Sequence, residues 1–145
     1  MRACAILAAM FTCSVMLAED KKDEKKDVKP AVKEIATKDL KLKFPEKGKA
    51  TEPTTIKSEE ELAKDPVVGS AADALKKQID FEKQNLLVFA WAGSGGDKLT
   101  ASIGAEDKKS IVYVEYIRGL TRDLRQHIHL FAVPKDLKVV VEVAK

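Results

Sequence analysis

Cysteine is missing from the chain after residue 13. Cys4 and Cys13 both fall in an opening segment that reads as a removable leader. The mature chain therefore has no disulfide staple, no thiol nucleophile and no cysteine-ligated metal site. An exported domain of this kind must be held by its core alone. No charge sign dominates either: Lys and Arg number 26 against 23 Asp and Glu, a formal net charge of +3. So small an excess implies neither nucleic acid nor an anionic membrane as partner. Complete catalytic and cofactor motifs are also lacking. Ala92-Gly93-Ser94-Gly95-Gly96 follows an apolar stretch, as the turn that presents a serine nucleophile does. That chemistry needs a helix after the serine and an oriented histidine base, whereas the residues that follow favour a strand. The order of Gly, Lys and Ser/Thr is wrong for a phosphate loop. The expectation is a protein that is not an enzyme and carries no cofactor.

The beginning of the chain is informative. Met1-Arg2 supplies a short positive region, Ala3 to Leu17 is almost wholly apolar, and Leu17-Ala18 meets Glu19-Asp20. This is the three-part pattern of a secretory signal peptide, residues 1–18, with cleavage placed after Ala18. The apolar run is shorter than the roughly 18–20 residues that span a bilayer. Phe11-Thr12 before Cys13 does not suit a lipid-modified cysteine. A periplasmic or secreted product of about 125 residues remains, enough for one domain.

Residues 19–53 form a Lys/Glu-rich arm with few large apolar side chains. Glu19 to Ala36 cannot bury enough surface to offset its ordering entropy and is expected to be disordered, a solvated spacer. Leu40, Leu42 and Phe44 alternate with lysines, which predicts an edge strand over 39–44. Residues 54–145 read as a single domain. Ser58-Glu59-Glu60-Glu61 is a capping box opening a short helix that Asp65-Pro66 ends. Ser70 to Ile79 forms a second helix with Ala71, Ala74, Leu75 and Ile79 near one stripe. Asn85 to Ala92 is a central strand covered on both faces, and Gly93 to Asp97 has the composition of a hairpin. Further strands fall at Leu99–Ile103, Ser110–Ile117, His127–Val133 and Lys138–Val143. Short connections favour an antiparallel meander of about five strands with one or two short helices on one face, an α+β fold preceded by a disordered charged arm.

Arginine usage singles out one connection. After Arg2, every arginine is Arg118, Arg122 or Arg125, and no lysine occurs between Lys109 and Lys135. Arginine offers a planar fork that bonds carboxylate or phosphate bidentately, which lysine cannot do. The window from Arg118 to His129 is therefore a candidate site for a protein or a small anionic ligand. The competing reading is that these arginines pair with acids of the same chain and brace the loop. His127 and His129, two apart on a strand, project from one face and are the candidate metal ligands of an alternative reading. A third ligand is not evident; Glu115 is a candidate only if the strand register places it opposite. Trp91, Phe89, Tyr113, Tyr116 and Phe131 are expected to pack in the core.

The segment Ile79-Asp80-Phe81-Glu82-Lys83, the strand Leu86-Leu87-Val88-Phe89 with its glycine turn, and the closing Phe131-Ala132-Val133-Pro134-Lys135 resemble the PrcB-like C-terminal domain of exported bacterial proteins. The likeness spans roughly residues 56–145. The order of leader, Lys/Glu arm and small domain is similar to that of exported proteins of planctomycete-type bacteria. The resemblance implies an accessory or interaction domain of an exported complex.

Overall fold

The computed structural model describes residues 31–45 and 48–144. The leader and the first part of the arm lie outside the described residues. Nine elements of regular structure follow in chain order: β1 (Lys33–Ile35), β2 (Thr54–Ile56), α1 (Glu59–Lys64), α2 (Ala72–Lys76), β3 (Gln84–Ser94), β4 (Lys98–Glu106), β5 (Lys109–Ile117), β6 (Leu124–Pro134) and β7 (Lys138–Val143). A single 3-10 turn, Gly69–Ala71, leads into α2.

The expected α+β character is present, but the single meander is not. The strands form two sheets, one ordered β1-β6-β3-β2 and the other β4-β5-β7. Every pairing is antiparallel except β5 with β7. Those two run parallel because β6, in the other sheet, returns the chain between them.

The physical reason for the second sheet lies in β3. Leu86, Leu87, Val88, Phe89, Ala90 and Trp91 are all buried, so both faces of the strand need cover. The short helices cover one face: Leu86, Val88 and Ala90 pack with Leu62, Val68, Leu75 and Ile79. The other face carries Leu87, Phe89 and Trp91, which meet Leu99, Val112 and Val114 of the second sheet. The result is three layers, helices on sheet on sheet. Phe89 and Phe131 meet edge to face in the inter-sheet core, their ring centroids 5.9 Å apart.

The glycine stretch is consequently no hairpin; Gly95 to Asp97 carries the chain from the first sheet to the second. The hairpin forms at the polar turn between β4 and β5, where Asp107 and Lys108 both take left-handed backbone (φ 48° and 65°), as a two-residue turn requires. Nor is the arm's edge strand at 39–44. It is Lys33–Ile35, within the segment expected to be disordered, paired with Leu130 to Ala132. Leu40 and Leu42 instead pack against the helix-side core. The α1 cap forms with one variation: the Ser58 hydroxyl accepts from the Glu61 N–H, while the Glu61 carboxylate accepts from the N–H of Lys57. In the second helical segment Ala71, Leu75 and Ile79 are buried as the stripe predicts, whereas Ala74 is exposed.

Candidate functional site

Two connections cross between the sheets at one end of the sandwich and press against each other. Gly95 to Asp97 leads from β3 to β4, and Arg118 to Asp123 leads from β5 to β6. The Gly119 N–H donates to Asp97 Oδ1 (2.7 Å), the Gly96 N–H to Thr121 Oγ1 (3.0 Å) and the Gly95 N–H to the Asp123 carbonyl (3.1 Å). Ser94 Oγ donates to the Thr121 carbonyl (2.9 Å) and lies 2.7 Å from the Thr121 hydroxyl. The glycines are explained by this contact. A Cβ on Gly119 would collide with the backbone of Gly96 and Asp97, and one on Gly93 with the Asp97 carboxylate.

Asp97 holds the junction. It is only 8% exposed and accepts from Trp91 Nε1 (2.9 Å), Tyr116 OH (3.0 Å) and the Gly119 N–H. Burial pushes its carboxyl up, but the donors from Trp91, Gly119 and Tyr116 together outweigh burial and hold it below the ordinary carboxylate value. Tyr116 is raised correspondingly, by burial first and by its bond to Asp97 next. A carboxylate saturated with donors in this way serves positioning rather than proton transfer. Sequence reasoning missed Asp97 because its partners come from β3, β5 and the loop after β5.

The bonding pattern gives the Arg118–Asp123 loop two sides. Gly119, Thr121 and Asp123 are tied to the glycine link. The intervening Arg118, Leu120 and Arg122, with Leu124 opening β6, are exposed. Leu120 is 96% and Leu124 80% exposed, the extremes among large apolar side chains of the described residues. All four line an open cleft of about 840 Å³, which Gly48 to Thr51 also line and where Val143 adds further exposed apolar surface. Among the described residues, Arg118 and Arg122 make no ion pair. Arg125, at the start of β6 and not in the loop, differs: its Nε donates to Asp123 Oδ2 at 2.6 Å. Of the three arginines, two are free in the cleft and one is a brace. The exposed leucines also escaped sequence reasoning, since leucine in a loop does not signal exposure.

The two histidines do share a face of β6, but they pack rather than converge. Both rings stack on the Trp91 indole, with centroids 4.8 Å away for His127 and 5.5 Å for His129. His127 Nε2 donates to the Ser94 carbonyl (2.9 Å), and His129 Nδ1 lies 3.2 Å from the Glu34 carboxylate. Glu115 is exposed in the second sheet, opposite Thr100 and Glu142, and no group of three or more metal-ligating side chains occurs among the described residues. Trp91, Phe89 and Phe131 are core residues, while Tyr113 and Tyr116 are half-buried.

No known protein family, curated protein or solved structure matches the chain.

Proposed function

We propose that this is an exported, non-enzymatic interaction domain that holds an acidic protein partner, or a smaller anionic ligand, at the Arg118–Leu124 loop. One observation carries the reading. A loop pinned along one side presents arginine and leucine alternately along the other, and neither Arg118 nor Arg122 is neutralised by an acid of the described residues. A pre-organised loop loses little entropy on binding. Free guanidinium forks favour carboxylate, and exposed leucines beside them favour a protein over a bare ion. The leader pattern supports export, and the resemblance to PrcB-like domains supports an accessory role. In the alternative reading His127 and His129, each with one ring nitrogen against Ser94 or Glu34, would bind a metal through their other ring nitrogens.

Thermal melts of the wild type and of Arg118→Lys and Arg122→Lys, with phosphate, citrate or an acidic peptide added, test the reading. The wild type gains stability with the peptide, and each substitution removes about 1–3 kcal/mol of binding per charge-assisted contact. A wild type indifferent to every anion would sink the proposal.

A further inference from the structure

We infer a second binding surface, independent of the arginine loop: the open edge of β6 from Leu124 to His129 accepts an extended, acidic peptide segment of another protein as an added strand. β6 is paired along its whole length with β3, from Leu124 opposite Ser94 to Pro134 opposite Gln84. On its other side, among the described residues, β1 covers only Leu130 to Ala132. The chain leaves that edge after Ile35. Among the described residues, no backbone hydrogen bond joins residues 36–44 to it: Leu40 bonds back to Thr37, Leu42 to Leu40, and Lys43 to Val67. About 20 Å of strand edge, at about 3.3 Å per residue, is left with backbone donors and acceptors facing outward.

That edge is one wall of a groove of about 490 Å³, formed by Gln126 to His129, with Thr37, Leu40, Leu42 and Phe44 opposite. Unpaired strand groups are satisfied best by another extended backbone, whatever its sequence. β1 itself is the precedent, a three-residue strand added from the arm at the same edge. The charge of the occupant follows from the facing segment. Lys38, Lys41 and Lys43 are exposed on that segment beside the groove and Arg125 on the edge itself, against the acids Asp39 and Glu34, the latter 3.2 Å from His129. The surplus of cations favours carboxylates on the incoming strand.

Amide hydrogen exchange on the ¹⁵N-labelled protein tests this, with a blocked heptapeptide alternating glutamate and valine as probe. Two N-methylated twins of the peptide, each methylated on alternate amides, serve as controls, because an added strand uses one edge only. At saturation the parent slows exchange of the outward amides between Arg125 and His129 at least tenfold. One twin matches it, the other loses the effect, and a lysine–valine peptide binds at least fivefold more weakly. The double variant Arg118→Ala/Arg122→Ala keeps this protection, which separates the edge from the loop. No protection, equal protection by both twins, equal binding of the lysine peptide, or effects confined to Arg118–Leu124 would each overturn the inference. So would concentration-dependent self-association that already protects these amides, since the occupant would then be a second copy.

Discussion

The two faces of the first sheet differ in chemistry. Toward the helices it is aliphatic: Ile35, Ile56, Leu86, Val88 and Leu130 meet Leu62, Val68 and Leu75, with no aromatic among the buried residues. Toward the second sheet it is aromatic, and its open end turns polar, running from Phe89 and Phe131 through Trp91 to His127, Tyr116 and Asp97. Aliphatic packing needs only shape and volume, and it supports. Trp and Tyr bury area while keeping a directional donor, so the aromatic face can fix the position of a loop. The cleft therefore opens at the end of the second face and not beside the helices.

The largest effects should come from cutting each face at its centre. Phe89→Ala should cost about 3–5 kcal/mol and Leu75→Ala about 2–5 kcal/mol in urea unfolding. The comparison sharpens if the Leu75 variant keeps the wild-type response to acidic peptide in melts under native conditions. It breaks if helix-side damage abolishes that response in the still-folded fraction.

Next in size is the buried carboxylate. Asp97→Ala strands donors on Trp91, Tyr116 and Gly119, and a loss of about 2–4 kcal/mol is expected by thermal and chemical denaturation. The pH dependence has a definite sign. The folded-state pKa of Asp97 lies below its ordinary value, so its stabilisation is complete above the ordinary carboxylate pKa. It is lost as pH falls through the lowered one. Asp97→Asn should flatten that part of the acid limb of a stability–pH curve; an unchanged limb would mean the carboxylate contributes nothing there.

Gly119→Ala probes the same junction through the backbone. The added methyl has no room against Gly96 and Asp97, so about 1–3 kcal/mol should be lost, with faster amide exchange in the loop. A variant as stable as wild type would show that the two crossings are not pressed together.

The smallest stability effects belong to the exposed side of the loop. Arg118→Lys, Arg122→Lys and Leu120→Ser should each stay within about 0.5 kcal/mol of wild type in unfolding. Arg125→Ala, which loses its bond to Asp123, should cost up to about 1 kcal/mol, as exposed pairs do. If Arg118 proved as costly as a core residue, the division between bracing and presenting residues within this loop would collapse.

Much of the fold was legible in the chain because local patterns carry it. Ser58 and Glu61 announce a helix start, the run from Leu86 to Trp91 announces a strand covered on both faces, and Val139 to Val141 announces the last strand. The same run held an unused clue: two short helices cover one face of β3, so its other face required another layer. β1 was not legible, because only Ile35 of its three residues is buried and its partner lies about a hundred residues further on. The alternation of Leu40, Leu42 and Phe44 misled for the converse reason. Alternation reports which side chains can be buried, not whether a strand edge lies alongside. At the site, the concentration of arginine was visible in the chain, but its division into two free groups and one brace was not.

By itself, then, the sequence determined the start of the first helix and the approximate courses of β3, β4, β5 and β7, which residues are apolar enough for a core, and that every arginine after Arg2 falls between Arg118 and Arg125. These are short-range consequences of capping, periodicity and side-chain chemistry. Only the tertiary structure decided that the glycine link joins two sheets, that Asp97 is buried under three donors, and that Leu120 and Leu124 stand in solvent beside arginines that no acid of the described residues pairs. Each of these depends on residues distant in the chain. Their proximity is set by the packing of whole layers, which no local pattern encodes.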